Sequence, residues 1–170
     1  MKKVLIAVDE TEGSKSVLSV FHNMVRPPET VVLVHVQRLE GKSVMIDMLG
    51  EAEMSTLRES LKGTEHKEAL DRQSQKILSY YKKEIDNGGL VSVKTVVRDG
   101  VPSEEIMKVA QEEGVDLIIT GCSGKTVMQR LVSGCVSSDL ERNAPVPVLV
   151  AKDAAEEKHA WGVAPIGAKI

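Results

Sequence analysis

The stretch TGCSGKTVMQRLVSGC, residues 120–135, combines three glycines with a lysine and an arginine directly after an apolar run. Glycines let a backbone turn sharply and bring its N–H groups close to an anion, and a helix start offers further N–H groups that lack helical partners. Lys125 and Arg130 would add countercharge. Residues of these types in this order indicate a site that binds phosphate.

The spacing of the glycines excludes two familiar phosphate-binding loops. A Walker A loop reads Gly-x4-Gly-Lys-Ser/Thr, and with Gly-Lys-Thr at 124–126 its first glycine would fall on Ile119. A dinucleotide-binding Gly-x-Gly-x-x-Gly is missing after the first apolar run, where the turn contains only Gly13. The pattern that remains in residues 121–134 is Gly-x2-Gly-x9-Gly.

Apolar runs alternate with amphipathic segments along the chain, and this order predicts how the loop is positioned. Strands are predicted at residues 2–8, 29–37, 90–97, 115–120 and 146–152, and helices at 14–25, 65–86, 102–113 and 136–142. Ser14 is the predicted N-cap of the first helix, and Gly114 ends the third. The alternation predicts an α/β fold with an open parallel sheet, whose ligands bind beyond the carboxyl ends of the strands.

Length, charge and hydropathy limit the class of protein. A chain of 170 residues fits one domain, and its formal net charge of −3 with scattered Lys and Arg argues against a nucleic-acid partner. The first apolar run ends at Val8, which is too short for a signal sequence or a membrane span. These features predict a cytoplasmic protein that has neither nucleic acid nor membrane as a partner.

The motif Gly-x2-Gly-x9-Gly, in this place, resembles the nucleotide motif of the universal stress protein family. Further matches occur in the family's order: IAVD, LVHV, GVPSEEIMKVAQEEGVDLIITG and NAPVPVLV. The resemblance covers residues 2–152. It implies a Rossmann-like fold of the adenine nucleotide alpha hydrolase-like type, with a five-stranded parallel sheet in the order 3-2-1-4-5, helices on both faces and a homodimer formed through the last strand. The nucleotide-binding domain would span 1–152, with an insertion at about 38–64 and a tail at 153–170.

The resemblance also implies a ligand, ATP with Mg²⁺ or Mn²⁺, and a set of site residues. Asp9 would lie near the ribose and, together with phosphate oxygens, near the metal ion, while the backbone of Val36 would contact adenine. The residues assigned to the phosphates are Gly121, Gly124, Lys125, Arg130, Gly134, Cys135, Val136 and Ser137. The family pattern has Ser or Thr where this chain has Cys135, and because a thiol is a weak hydrogen-bond donor, we expect binding to persist with lower affinity.

Several of these residues have a second interpretation that the sequence leaves open. Asp9 could end the first strand and cap the following turn, and His35, in an apolar strand, is typical of a hydrogen-bonded core histidine. Cys122 and Cys135 form no Cys-x-x-Cys pair, which indicates neither a disulfide scaffold nor a zinc site. A thiol at a helix start can have a lowered pKa, so both redox sensing and simple packing remain open.

The sequence motifs favour binding over dedicated catalysis. No Ser-His-Asp set, poised carboxylate pair or metal-ligand motif is recognisable, so we expect at most a slow ATPase. The predicted function is that of a cytoplasmic stress-response protein that binds ATP and acts as a nucleotide-dependent dimeric regulator of an unknown protein partner. One alternative is a signalling or interaction module of the same fold that binds no nucleotide. The other is an ATP-using enzyme with weak hydrolysis or adenylyl transfer.

Overall fold

The computed structural model describes residues 1–37, 65–86, 89–122 and 135–152, and residues 52, 53, 56 and 59 between the first two ranges. Most of the predicted insertion, most of the glycine loop and the predicted tail therefore lie outside the described residues. Among the helices that the model describes, none has the length and apolar character of a membrane span.

Five strands and four helices of eight or more residues alternate along the described chain. They are β1 Lys3–Ala7, α1 Glu12–Met24, β2 Thr30–Gln37, α2 Glu65–Ile85, β3 Ser92–Asp99, α3 Pro102–Glu113, β4 Leu117–Gly121, α4 Val136–Asn143 and β5 Val148–Ala151. The strands form one sheet in the order β3-β2-β1-β4-β5, and every neighbouring pair is parallel. The predicted fold class and strand order are confirmed.

The sheet is buried on both faces because its central strands carry continuous aliphatic runs, residues 4–7 in β1 and 31–34 in β2. In β1, Val4 and Ile6 face the layer formed by α1 and α2, whereas Leu5 and Ala7 face the layer formed by α3 and α4. Successive side chains of a strand point to opposite faces, so a continuous aliphatic run places one half of its residues in each layer. Helices therefore cover both faces, as the sequence predicted.

Pairing between strands moves several element bounds away from the predicted ones. β3 begins at Ser92 rather than at residue 90, because Ser92 is the first residue in register with the start of β2, and Leu90 is 88% exposed. β4 begins at Leu117, since the N–H of Val115 donates to the Ala110 carbonyl at the end of α3. Gly114 ends α3 in a left-handed conformation with φ of 60°, as predicted.

The predicted N-cap of α1 was wrong. The helix begins at Glu12 with Thr11 at the N-cap position, two residues before the predicted start. Ser14 lies inside the first turn, where its hydroxyl accepts a hydrogen bond from the N–H of Asp9 at 2.9 Å. The turn at Asp9 is tighter than the sequence pattern indicated, so the helix starts earlier and uses Ser14 for a contact outside the helix.

Candidate functional site

The carboxyl edge of the sheet brings together residues from three neighbouring strands. Ala7 of β1 is in register with Val34 of β2 on one side and Thr120 of β4 on the other. Asp9 and Val36 each lie two residues beyond this aligned row, and Gly121 lies one residue beyond it. The chain runs outward from β1 in one direction through β2 and β3, and in the other through β4 and β5, so the strand order reverses here. Ligands of open α/β sheets bind at such a reversal.

Asp9 is held by hydrogen bonds on its backbone and on its carboxylate. Its Oδ1 accepts hydrogen bonds from the backbone N–H of Thr11 at 2.8 Å and from the Thr11 hydroxyl at 2.5 Å, while its own N–H donates to Ser14. Asp9 therefore does cap the turn after β1, which was the second interpretation of this residue. Both carboxylate contacts made by described residues fall on Oδ1, so Oδ2 is the oxygen that can turn toward a ligand.

His35 is a buried core histidine, as predicted. The side chain is 6% exposed, and Nδ1 lies 2.9 Å from the carbonyl oxygen of Val8. The contact ties the end of β1 to β2 immediately before Asp9. By alternation along β2, His35 shares the face of Val31 and Leu33, which pack under α1 and α2.

Val36 turns its main-chain groups toward β1. The N–H and C=O groups of successive residues in a strand point alternately toward its two neighbouring strands. The Gln37 carbonyl points toward β3 and accepts a hydrogen bond from the N–H of Gly100, whereas the Val34 carbonyl points toward β1 and accepts one from the N–H of Val8. The N–H and C=O of Val36 consequently face the region above Val8, where the chain leaves the sheet at Asp9. A ligand edge placed there could form main-chain hydrogen bonds with Val36.

Cys135, Val136 and Ser137 form the start of α4. Cys135 occupies the N-cap position, and its sulfur lies 3.1 Å from the hydroxyl oxygen of Ser137. Burial raises the pKa of the Cys135 thiol, but the polar hydrogens of Ser137 and Ser138 around the sulfur favour the thiolate more strongly, so the pKa is lowered overall. Both cysteines are free thiols. This helix start carries N–H donors together with a thiol that ionises more readily than usual.

Four of the predicted phosphate-binding residues, Gly124, Lys125, Arg130 and Gly134, lie outside the described residues. The described residues contain no group of three or more His, Cys, Asp or Glu side chains that could hold a metal ion. Asp9 could supply one carboxylate ligand to a metal ion whose other ligands came from a nucleotide and water. The donor set of one carboxylate and phosphate oxygens suits Mg²⁺, which prefers oxygen ligands and retains several waters.

A second polar cluster lies at the carboxyl ends of β2 and β3. The ammonium of Lys67 contacts Gln37 Oε1 at 2.5 Å, Asp99 Oδ1 at 2.8 Å and Asp71 Oδ1 at 3.1 Å. Gln37, which is 2% exposed, also donates to Asp71 at 2.9 Å and to Ser74 at 2.8 Å. Burial lowers the pKa of Lys67, but the two carboxylates outweigh it and raise the pKa overall. This Lys67 cluster joins the last residue of β2 to the first turns of α2.

The sequence pattern did not reveal the polar contacts that join α2 to the strands. Ser74 lies in the predicted helix at residues 65–86, and its hydroxyl accepts a hydrogen bond from Gln37 Nε2 at the end of β2 at 2.8 Å. The available signal was a serine four residues after Leu70 and four before Leu78, on the buried side of the helix, because a buried hydroxyl needs a polar partner.

A known protein family matches most of the chain. The model described as "Universal stress protein family" matches residues 1–152. The chain belongs to the universal stress protein family. The resemblance read from the glycine motif and its flanking strands is thereby confirmed.

Relatives in this family match nearly the whole chain. Universal stress protein MJ0577 of Methanocaldococcus jannaschii is 32% identical over 157 residues, which are 89% of this chain and 94% of the relative. Its solved structure aligns with a TM-score of 0.59 at 30% identity and covers 89% of this chain and 96% of that one.

Two more distant members of the family share the fold. A family protein from Arabidopsis thaliana, whose structure has AMP bound, aligns with a TM-score of 0.61 at 18% identity and covers 92% of this chain and 95% of that one. A universal stress protein in complex with cAMP aligns with a TM-score of 0.55 at 16% identity and covers 88% and 95%.

Proposed function

We propose that this universal stress protein binds ATP, together with Mg²⁺ or Mn²⁺, at the carboxyl edge of its sheet. The observation that carries the proposal is the arrangement of three features where the strand order reverses: the Asp9 turn, the main chain of Val36 and the glycine end of β4. A carboxylate can accept from ribose hydroxyls, main-chain groups can contact an adenine edge, and a glycine-rich loop that leads into a helix start suits phosphates. Together they match the three parts of an adenine nucleotide.

The start of α4 supports the phosphate end of this assignment. Val136 and Ser137 are the first residues of the helix, where N–H groups have no helical acceptor and the helix dipole favours an anion. Main-chain donors do not depend on side-chain identity. The replacement of a hydroxyl by the Cys135 thiol therefore removes one strong donor and leaves the amides in place.

Relatives support the class of ligand. Two structures with this fold are complexes with AMP and with cAMP, which share the adenine, the ribose and a phosphate with ATP. Their identity to this chain is low, so the assignment here depends on the edge residues of this chain. We propose ATP because the predicted loop offers more donors and countercharge than a single phosphate requires.

We further propose that the protein acts in the cytoplasm as a homodimer whose nucleotide state alters its contact with a protein partner. In the described sheet, β5 pairs only with β4 and forms one edge of the sheet. Three of its four residues, Val148, Leu149 and Val150, are only half-buried. An apolar edge strand of this kind suits pairing with the same strand of a second copy.

One observation favours the alternative function, an interaction module that binds no nucleotide. The lowered pKa of Cys135 places partial negative charge at the helix start when the thiol ionises, and this charge repels phosphate. The protein would then keep the fold as a signalling or interaction module. The two functions differ in whether ATP is bound when the thiol is protonated.

Isothermal titration calorimetry with ATP and Mg²⁺ at neutral pH tests the proposal. We expect saturable binding of ATP, at most weak binding of GTP, and roughly tenfold weaker ATP binding for Asp9→Asn, since one charge-assisted contact is lost. The Asn oxygen can still accept from Thr11, so the turn is kept.

Asp116→Asn is the matched control, because Asp116 binds the N–H groups of Lys2 and Lys3 at the opposite edge of the sheet. It should bind ATP like the natural protein. Absence of binding at millimolar ATP, with the protein folded, would instead support the interaction module.

A further inference from the structure

Gln37 places a polar amide in an apolar layer at the last position of β2. By alternation along the strand it shares the face of Val31 and Leu33, which belong to the core cluster under α1 and α2. Gln37 is 2% exposed. An aliphatic side chain would pack there with no polar group to satisfy, whereas a buried amide without partners costs free energy. Packing alone therefore does not explain the glutamine.

The amide of Gln37 is bonded at both of its ends by one side of α2. Oε1 accepts a hydrogen bond from the ammonium of Lys67 at 2.5 Å. Nε2 donates to Asp71 at 2.9 Å and to Ser74 at 2.8 Å. The three partners have the spacing i, i+4 and i+7, which places them on one side of a helix. Both donors of the amide are used and its oxygen contacts a cation, so the amide has one favourable orientation.

The same lysine joins Gln37 to the neighbouring strand. Gln37 and Asp99 are register partners at the ends of β2 and β3, and the ammonium of Lys67 contacts Asp99 Oδ1 at 2.8 Å. The Gln37 carbonyl also accepts a hydrogen bond from the N–H of Gly100 at 3.3 Å. Gln37 is thus held through its side chain by α2 and through its main chain by the residue that follows β3.

Val36, the residue before Gln37, is supported differently on its two sides. β1 ends at Ala7, in register with Val34, so β2 continues beyond its neighbour and Val36 lies past the last aligned pair. On the other side, Val36 remains in register with Arg98 of β3. The peptide unit that contains the Val36 carbonyl also contains the Gln37 nitrogen and is planar. The direction of that carbonyl therefore depends on how Gln37 is held.

We infer that Gln37 is a positioning residue for the nucleotide base: held by Lys67 and α2, it fixes the direction of the Val36 main chain that adenine would contact. The inference rests on the proposed function, and its new content is a role for α2, whose residues lie outside both the glycine loop and the start of α4. Because base and phosphates would be bound by separate elements, loosening Gln37 should weaken contacts with the base and leave contacts with the phosphates intact.

Amide hydrogen exchange without nucleotide tests whether the Lys67 cluster holds the end of β2. Gln37→Leu keeps a side chain of similar volume and removes the hydrogen bonds of the amide. It should speed exchange at Gly100 several-fold, since that N–H donates to the Gln37 carbonyl. The Val8 amide, which donates to Val34 on the same strand, should be unchanged. Lys67→Met withdraws the ammonium and should reproduce this difference, which keeps the test valid if Gln37→Leu does not fold.

Two exchange results would overturn the inference. Equal speeding at Gly100 and Val8 would show a general loss of stability rather than a local one. Unchanged exchange at Gly100 would show that the side chain of Gln37 does not hold the end of the strand.

The second readout is the affinity for two nucleotides, measured by isothermal titration calorimetry. Purine riboside triphosphate lacks the exocyclic amino group of ATP, which is a donor that the Val36 carbonyl could accept from. Gln37→Leu should weaken ATP binding by about three- to tenfold and purine riboside triphosphate binding by less than about twofold. Arg72→Met is the matched control, because it removes an exposed ion pair from the same helix, and it should leave both affinities unchanged.

The outcomes distinguish the positioning role from the proposed function. If the natural protein binds ATP, an equal loss of affinity for both nucleotides in Gln37→Leu, or no loss for ATP, would overturn the positioning role alone. Failure of the natural protein to bind ATP would overturn the proposed function and this role with it.

Discussion

At the start of α4, Cys135 combines a thiol with the N–H groups that the proposed function assigns to phosphate. The same polar hydrogens that would bind an anionic ligand stabilise the thiolate, which explains why its pKa is lowered although the sulfur is partly buried. A thiolate and a phosphate cannot both occupy one set of donors without repulsion. The protonation state of this residue should therefore be linked to ligand binding.

The pH dependence of alkylation tests this property of Cys135. We expect iodoacetamide to modify Cys135 with a midpoint below the ordinary thiol pKa, whereas Cys122, which is 9% exposed, should react slowly at every pH. ATP with Mg²⁺ should slow the reaction of Cys135. Mass spectrometry of the modified peptides separates the two sites.

Ionisation of the Cys135 thiol should make the free energy of unfolding depend on pH. Because the pKa of the thiol is lower in the folded protein than in the unfolded chain, the stabilisation appears as pH rises through the folded-state pKa and is complete above the unfolded-state pKa. Cys135→Ser should lose this rise while it gains a stronger hydroxyl donor for phosphate. A midpoint at or above the ordinary thiol value would contradict the geometry at the helix start.

At the scale of elements, the Lys67 cluster fixes where α2 begins relative to β2 and β3. Gln37 is the last residue of β2 and Lys67 lies in the first turn of α2, so the cluster joins the two elements that flank residues 38–64. The Lys67 side chain is 18% exposed and Asp99 is 22% exposed. Contacts of this kind matter mainly because breaking them leaves buried polar groups without partners.

Replacing Lys67 should therefore cost more than replacing an exposed cation on the same helix. We expect Lys67→Met to lower the free energy of unfolding by about 1–3 kcal/mol, since Gln37 and Asp99 lose their cationic partner. Arg72→Met is the matched control, because Arg72 pairs with Glu68 at 4.0 Å on the exposed face and should change stability by about 0.5 kcal/mol or less. Urea unfolding of the three proteins at neutral pH measures both values.

Acid provides a second check of the cluster. The hydrogen bond from Gln37 and the ion pair with Lys67 lower the pKa of Asp71, so its contribution is present above the unfolded value and lost as pH falls through the folded one. The difference between the natural protein and Lys67→Met should shrink below about pH 4. A difference that stays constant down to pH 2 would contradict this assignment.

The elements were predictable from sequence to the extent that they depend on local pattern. Continuous aliphatic runs indicated the strands, and the pair Pro102 and Gly114 marked the ends of α3 correctly. The starts of β3 and β4 were misplaced, because they depend on register with a neighbouring strand. The hydrogen bond between Gln37 and Ser74 joins residues 37 positions apart in sequence, and no local periodicity encodes such a pair.

At the scale of the whole molecule, the two edges of the sheet differ in their unpaired main-chain groups. The carbonyls of Pro147 and Ala151 point toward β4. Because main-chain groups alternate in direction along a strand, the N–H of Val150 points the other way, out of the sheet. At the other edge, Ser92 and Gly100 direct their N–H groups toward β2, and Thr95 points outward. Both outward positions tolerate proline within one chain, since neither donates to the described sheet.

Proline substitution at these two positions tests the proposed dimer. Val150→Pro should convert the dimer to a monomer, because it removes an outward donor and places a ring where a second β5 would pair. Thr95→Pro should remain dimeric. Sedimentation velocity distinguishes the states, and a natural protein that sediments as a monomer, or a Val150→Pro variant that remains dimeric, would exclude this interface.

The most direct test of the central claim is a map of amide chemical shifts as ATP and Mg²⁺ are added to the ¹⁵N-labelled protein. The account predicts the largest changes at Asp9, Gly121, Cys135 and Val136, with the amides of the opposite edge, such as Asp116, unchanged. Changes centred on the opposite edge, or none at millimolar ATP, would contradict a nucleotide site built from the main chain at the carboxyl edge of the sheet.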